Sequence, residues 1–133
     1  MARNNTVSAT FNMAAGDGAT GFTESMSAAF TSGDSVLVQG TVGTAERFFA
    51  AEDYGMAQFD GIYVENRDTT SHLEVDLFTT QDNTTTLFAT GKHLEVAPGG
   101  CFLIRFDAAM DAILCVGLLG EAADVEFVLC LAE

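Results

Sequence analysis

The sequence has no tryptophan, one proline, three cysteines and five basic side chains, and each shortage narrows what the protein can be. Arg3, Arg47, Arg67, Lys92 and Arg105 stand against 19 acidic residues, for a formal charge of -14. Binding to DNA or RNA needs a cationic footprint that releases counterions from phosphates, so no nucleic-acid partner is expected. An anionic bilayer repels such a chain for the same reason, and no membrane partner is expected. Cys101, Cys115 and Cys130 are an odd set without a CxxC pair or a Cys/His cluster. Neither a disulfide framework nor a zinc site is indicated, and the three thiols read as small buried hydrophobes in a reducing compartment.

Long apolar runs are missing too. The longest, residues 112–120, falls well short of the roughly 20 residues that cross a bilayer. The opening MARNNTVSATF lacks the apolar segment of a secretory signal, so synthesis in a cytoplasm is expected.

Catalytic signatures are equally scarce. His72 and His93, the two imidazoles, fall on the polar faces of predicted strands, with no second His, Cys or carboxylate at metal-ligand spacing, and read as surface histidines. Asp60, Glu65, Asp68, Glu74 and Asp76 cluster along the chain, but without an EF-hand spacing. Glu74 and Asp76 share one exposed strand face, which reads as solvated, a bound divalent cation being the alternative. No serine sits in a GxSxG elbow, and no GxGxxG or P-loop lysine occurs. No catalytic, cofactor-binding or metal-ligating residue is assigned, no cofactor is expected, and the chain reads as a non-enzyme.

What is present is a set of short alternating segments. A chain of 133 residues with 48% hydrophobic content and 11 phenylalanines is expected to fold as one domain with its own core. Val7, Ala9, Phe11 and Met13 alternate with polar neighbours as a first strand, and the glycines of residues 16–21 mark a loop. Residues 22–32 fit a strand, a helical turn or an extended arm. Val36, Val38 and Val42 line one strand face. Residues 45–52 carry the one helical stretch, ended by Gly55.

In residues 62–78, IYVENRDTTSHLEVDLF, two alternating strands flank a polar turn and suggest a β-hairpin. Ile62, Val64 and Asn66 share one face; Leu73, Val75 and Leu77 face the core. The turn residues, led by Asn66 and Asp68, hold side chains that fold back on their own backbone. Further strands are expected at residues 86–90, at residues 92–96 with Leu94 and Val96 inward, and at residues 101–106. Between the last two, Pro98 and Gly99 fit the centre of a type II turn. Residues 113–119 are apolar on both faces and belong in the middle of a sandwich. Val125, Phe127, Leu129 and Leu131 form one face of the closing strand. The expected class is all-β: a single-domain antiparallel β-sandwich or jelly roll, with residues 1–32 as an N-terminal strand or arm and residues 33–133 as the sandwich core.

The run from Ile62 to Val75, followed by LEVAPGGCFLIR at residues 94–105 and an apolar closing strand, resembles a pattern in small virion proteins of tailed bacteriophages. There a strand ends in an Asn-x-Asp turn, and a Leu-x-Pro-Gly hairpin leads into a hydrophobic strand. Ser71 and His72 depart from the Asn and apolar residue that often follow the Asp. The resemblance implies a β-sandwich head decoration or cement protein on the outer capsid surface. Its partner would be the major capsid protein, and it would itself form a homo-oligomer, a dimer or trimer. A tail, head-completion or fibre-associated virion protein is the alternative within that class. A free carbohydrate- or calcium-binding module is the alternative outside it, with Tyr54 and Tyr63 its few candidates for stacking on sugar rings.

Overall fold

The computed structural model describes residues 5–13, 22–30, 35–89, 91–106 and 112–133. Among these, ten strands occur: β1 (Asn5–Met13), β2 (Phe22–Phe30), β3 (Ser35–Val42), β4 (Arg47–Ala50), β5 (Gly61–Asn66), β6 (Leu73–Phe78), β7 (Leu94–Val96), β8 (Cys101–Arg105), β9 (Cys115–Gly120) and β10 (Val125–Ala132). A single 3-10 turn, Ala51–Tyr54, follows β4 and ends at Gly55 in the left-handed conformation, φ 72°. Among the described residues no helix is long and apolar enough to cross a membrane.

The strands pair antiparallel throughout. β1 and β2 form a two-stranded ribbon, and the other eight form two four-stranded sheets, ordered β3-β10-β5-β8 and β4-β9-β6-β7. Every connection in the body except that from β6 to β7 passes from one four-stranded sheet to the other. That order is the double Greek key of a jelly roll, so the expected all-β sandwich is the fold observed.

Strand alternation explains the layering, because side chains two apart share a face and the apolar face must leave water. Ile62 and Val64 of β5, Leu73, Val75 and Leu77 of β6, Val116 and Leu118 of β9, and Val125, Phe127, Leu129 and Leu131 of β10 are all buried in one cluster. Residues of both sheets contribute to it, and the edge-to-face contact of Phe49 on β4 with Phe127 on β10, at 6.1 Å between centroids, joins the two layers. The apolar segment of residues 113–119 lies where expected, with β9 second in its sheet between β4 and β6. The Pro98-Gly99 turn also forms: Gly99 has φ 74°, and Gly100 N–H donates to the Ala97 carbonyl at 2.8 Å.

Four expectations need correction or completion. Residues 62–78 are not a hairpin: β5 pairs with β10 and β8, whereas β6 pairs with β9 and β7, so the intervening loop is an arch between sheets. Alternation fixes which face of each strand is buried, not which neighbour it pairs with. The stretch expected to be helical contains β4, because Arg47 to Ala50 complete the ladder beside β9; helix is limited to the turn before Gly55. Residues 86–89 hold an isolated bridge, Thr86 to Phe78, instead of a strand, and Thr90 lies outside the described residues. The undecided segment after Gly21 is β2, paired along its whole length with β1; the glycine loop of residues 16–21 lies outside the described residues.

Candidate functional site

The arch at residues 67–72 sets the geometry of one face. Asn66 is fully buried, and its Nδ2 donates to the carbonyls of Ser71, at 2.8 Å, and Val96, at 3.0 Å. Its Oδ1 accepts from Asp68 N–H at 2.9 Å. Asp68 in turn accepts from the backbone N–H groups of Thr70, at 3.0 Å, and Ser71, at 2.7 Å. Those bonds hold its carboxyl below the usual carboxylate range, since they stabilise the charged form. Asn66 and Asp68 are therefore the turn residues expected, and Asn66 also pins the arch to β7.

Past the arch, the outward side chains of the second sheet form a strip of charge. Glu74 on β6 lies directly opposite Glu95 on β7 in the ladder. His72 precedes β6 and Glu121 follows β9, so these two enter at one end of the face, whereas His93, which precedes the antiparallel β7, reaches it from the other. His72 Nδ1 is 3.0 Å from Glu121 Oε2, an oxygen that also accepts from the His72 backbone N–H at 3.0 Å. His72 Nε2 is 3.6 Å from Glu74 Oε1, and His93 Nε2 is 3.5 Å from that same oxygen. His93 Nε2 also lies 3.2 Å from Glu95 Oε1. His72, Glu74 and Glu95 each place a donor atom within 4.8 Å of the others. The histidines are on the outer face as expected, but the reading that they lack companions at ligand spacing is overturned. Their neighbours come from across three strands, a relation that linear spacing does not express.

Further along the strip, β9 carries Gly117 opposite Asp76. A side chain at Gly117 would occupy the position of the Glu46 Oε1 atom, so the missing Cβ provides the slot in which that carboxyl lies. Glu46 Oε1 is shielded from solvent and has no hydrogen-bond donor. Burial, then contact with the Asp76 carboxyl and the charge of Glu74, push the Glu46 pKa up to about 7. Beyond it the face turns apolar: Ala50, Phe78 and Cys115 form a buried cluster, with Phe48 packed edge-to-face on Phe78.

The Glu46 geometry makes stability depend on pH. Its folded-state pKa lies above the ordinary value of 4.5, so the native state holds the proton more tightly than the unfolded chain. That stabilisation is complete below about pH 4.5 and is lost as pH rises through about 7. Glu46→Gln, fixed in the neutral form, is expected to exceed the parent by about 1 kcal/mol at pH 8, well below the full linkage value because the carboxyl is partly solvated. At pH 5 the two should melt alike. An equal gain at both pH values in thermal denaturation would mean that Glu46 stays ionised throughout.

The other residues singled out in the sequence are dispersed. Asp60 accepts from Gln58 at 2.8 Å, and Glu65 on the first sheet bonds Tyr63 Oη at 3.0 Å and Arg67 at 3.2 Å, leaving Glu74 and Asp76 on the second. Tyr54 packs against the core and Tyr63 is half-buried. Cys115 is buried as expected and Cys130 half-buried, but Cys101 is exposed at the start of edge strand β8. Burial pushes the Cys115 thiol up to about 11 and that of Cys130 upward, which makes both poor nucleophiles. Comparison with protein-family models and with curated proteins gives no match to this chain.

Proposed function

We propose that the chain is a non-enzymatic structural protein of a tailed-phage particle, a decoration or cement protein on the outer surface of the head. Its partner on that reading is the major capsid protein, and it acts as a dimer or trimer made in the host cytoplasm. The observation that supports this most is the β1–β2 ribbon, which shares no ladder with the eight-stranded body among the described residues. A two-stranded ribbon is at best marginally stable alone, so it suits an arm that gains free energy by lying against a neighbour. The resemblance described for residues 62–105 points the same way. Charge agrees: at -14 the protein is repelled by packaged genome but well suited to the outside of a shell, where many copies supply avidity.

Immunogold electron microscopy of purified particles tests the location, with label spread over heads as the expected result. Label at a tail or vertex would favour the tail, head-completion or fibre-associated reading, and no label would return the free binding module to the front. Deleting residues 2–32 tests the arm. Co-sedimentation with particles is expected to fall to background while the melting transition of the body persists; undiminished co-sedimentation would remove the arm from the proposal.

A further inference from the structure

Across β9, β6 and β7 the outer face of the second sheet brings together two imidazoles and three carboxylates. Among the described residues, histidines are the only basic partners that Glu74, Glu95 and Glu121 have. Glu74 and Glu95 stand directly opposite, a like-charge pair that an antiparallel ladder disfavours unless something positive lies between.

The arrangement around His72 specifies what that is. Glu121 Oε2, 3.0 Å from Nδ1, takes a proton on that nitrogen, and the same oxygen's bond to the His72 backbone N–H fixes the ring's orientation. In the neutral ring with its proton on Nδ1, the Nε2 lone pair is the atom turned toward Glu74 Oε1, at 3.6 Å, and is free to take a cation. A carboxylate holding one imidazole nitrogen so that the other is free to ligate is the recurring outer shell of zinc sites. His93 Nε2 meets the same two carboxylates, at 3.5 Å from Glu74 Oε1 and 3.2 Å from Glu95 Oε1. Donors about 2.0–2.1 Å from a tetrahedral metal lie about 3.4 Å from one another; His72 Nε2 and Glu74 Oε1 are 3.6 Å apart, and the donor atoms of His72, Glu74 and Glu95 all lie within 4.8 Å of one another.

We propose that His72 Nε2, Glu74 and Glu95 bind one zinc-type divalent cation on the outer face of the second sheet, with water in the remaining position. Glu121 positions His72 and does not itself ligate. The imidazole nitrogen favours zinc over calcium or magnesium, which take oxygen ligands. The site joins β6 to β7, an edge strand of its sheet, and so ties down a three-residue strand whose ladder is the shortest among the described strands of the body.

The test is zinc titration of the full chain, stripped with chelator and carrying Cys101→Ser so that the exposed thiol cannot compete. Calorimetry is expected to show saturable uptake of one equivalent, and the melting temperature should rise by several degrees. Glu74→Gln and His72→Ala should each weaken uptake by more than about tenfold, while Glu121→Gln should weaken it by about 10- to 100-fold with stoichiometry unchanged. Nitrogen NMR of the unsubstituted ring provides a readout that needs no variant: zinc should shift His72 Nε2 and leave Nδ1 protonated. No saturable uptake, uptake indifferent to Glu74→Gln, an unshifted Nε2, or an equal melting response to calcium would each overturn the proposal.

Discussion

Phe127→Ala is expected to destabilise the fold by about 3–5 kcal/mol, the largest effect of any single truncation considered. The ring is fully buried on β10, the strand that pairs with both β3 and β5. It meets Phe49 of the facing sheet edge-to-face, and the Arg47 guanidinium lies 5.9 Å from its centroid. Across the ladder its partner is Gly40, over which the ring edge lies 3.9 Å from where a Cβ would be. Glycine has no side chain with which to fill the space that truncation leaves, so collapse around the cavity is limited and the cost sits high in the usual range. Urea denaturation should show a lower midpoint with little change in slope, and Phe127→Leu should recover most of the loss. A loss below about 1 kcal/mol for the alanine variant would mean that the two sheets are not joined through this ring.

Asn66→Ala is expected to cost about 2–4 kcal/mol for a different reason. It removes little apolar area, but it strips partners from the Ser71 and Val96 carbonyls and from Asp68 N–H, all near a side chain with no solvent exposure. Buried polar groups left without partners carry most of their desolvation cost. Asn66→Asp should be at least as damaging, since it turns a carboxylate oxygen toward the two carbonyls that the amide served. The damage should also reach the charged strip: Ser71 precedes His72, and Val96 follows Glu95, so the amide fixes the backbone on both sides of the histidine–carboxylate cluster. Amide hydrogen exchange should accelerate at β7 and around the arch before it does at β10. Uniform acceleration, or none, would detach Asn66 from that local role.

The contrast between these two residues shows what the sequence makes legible. Phe127 belongs to an alternating series, Val125 to Leu131, whose burial follows from a period of two, and all four of its apolar members are buried. Asn66 was readable as sharing the face of Ile62 and Val64 and as a turn former, and it is both. Its hydrogen bond to Val96, 30 residues on, was not readable, because nothing local to Asn66 states which strand lies beside its end. The same gap explains the false hairpin in residues 62–78. Arg47 to Ala50 were misread for the opposite reason: their local preference is helical, and the ladder with β9 overrides it. The candidate site was hidden by register alone, since His72, Glu74 and Glu95 become neighbours only when β6 and β7 pair as they do.

The adjacency of β3 and β10 governs how this chain can be made. Among the described residues the body's first strand pairs only with its last, with Ser35 set against Ala132, so a nascent chain emerging from the ribosome carries β3 unpaired until residues 125–132 have been synthesised. One edge of β5 waits for the same strand, which leaves the sheet β3-β10-β5-β8 divided until β10 has been synthesised. Long-range pairing of this kind is slow, and unpaired edges invite association with other chains. Strong negative charge keeps such half-made chains apart, so the acidity of the sequence serves folding on the ribosome before it serves the finished protein.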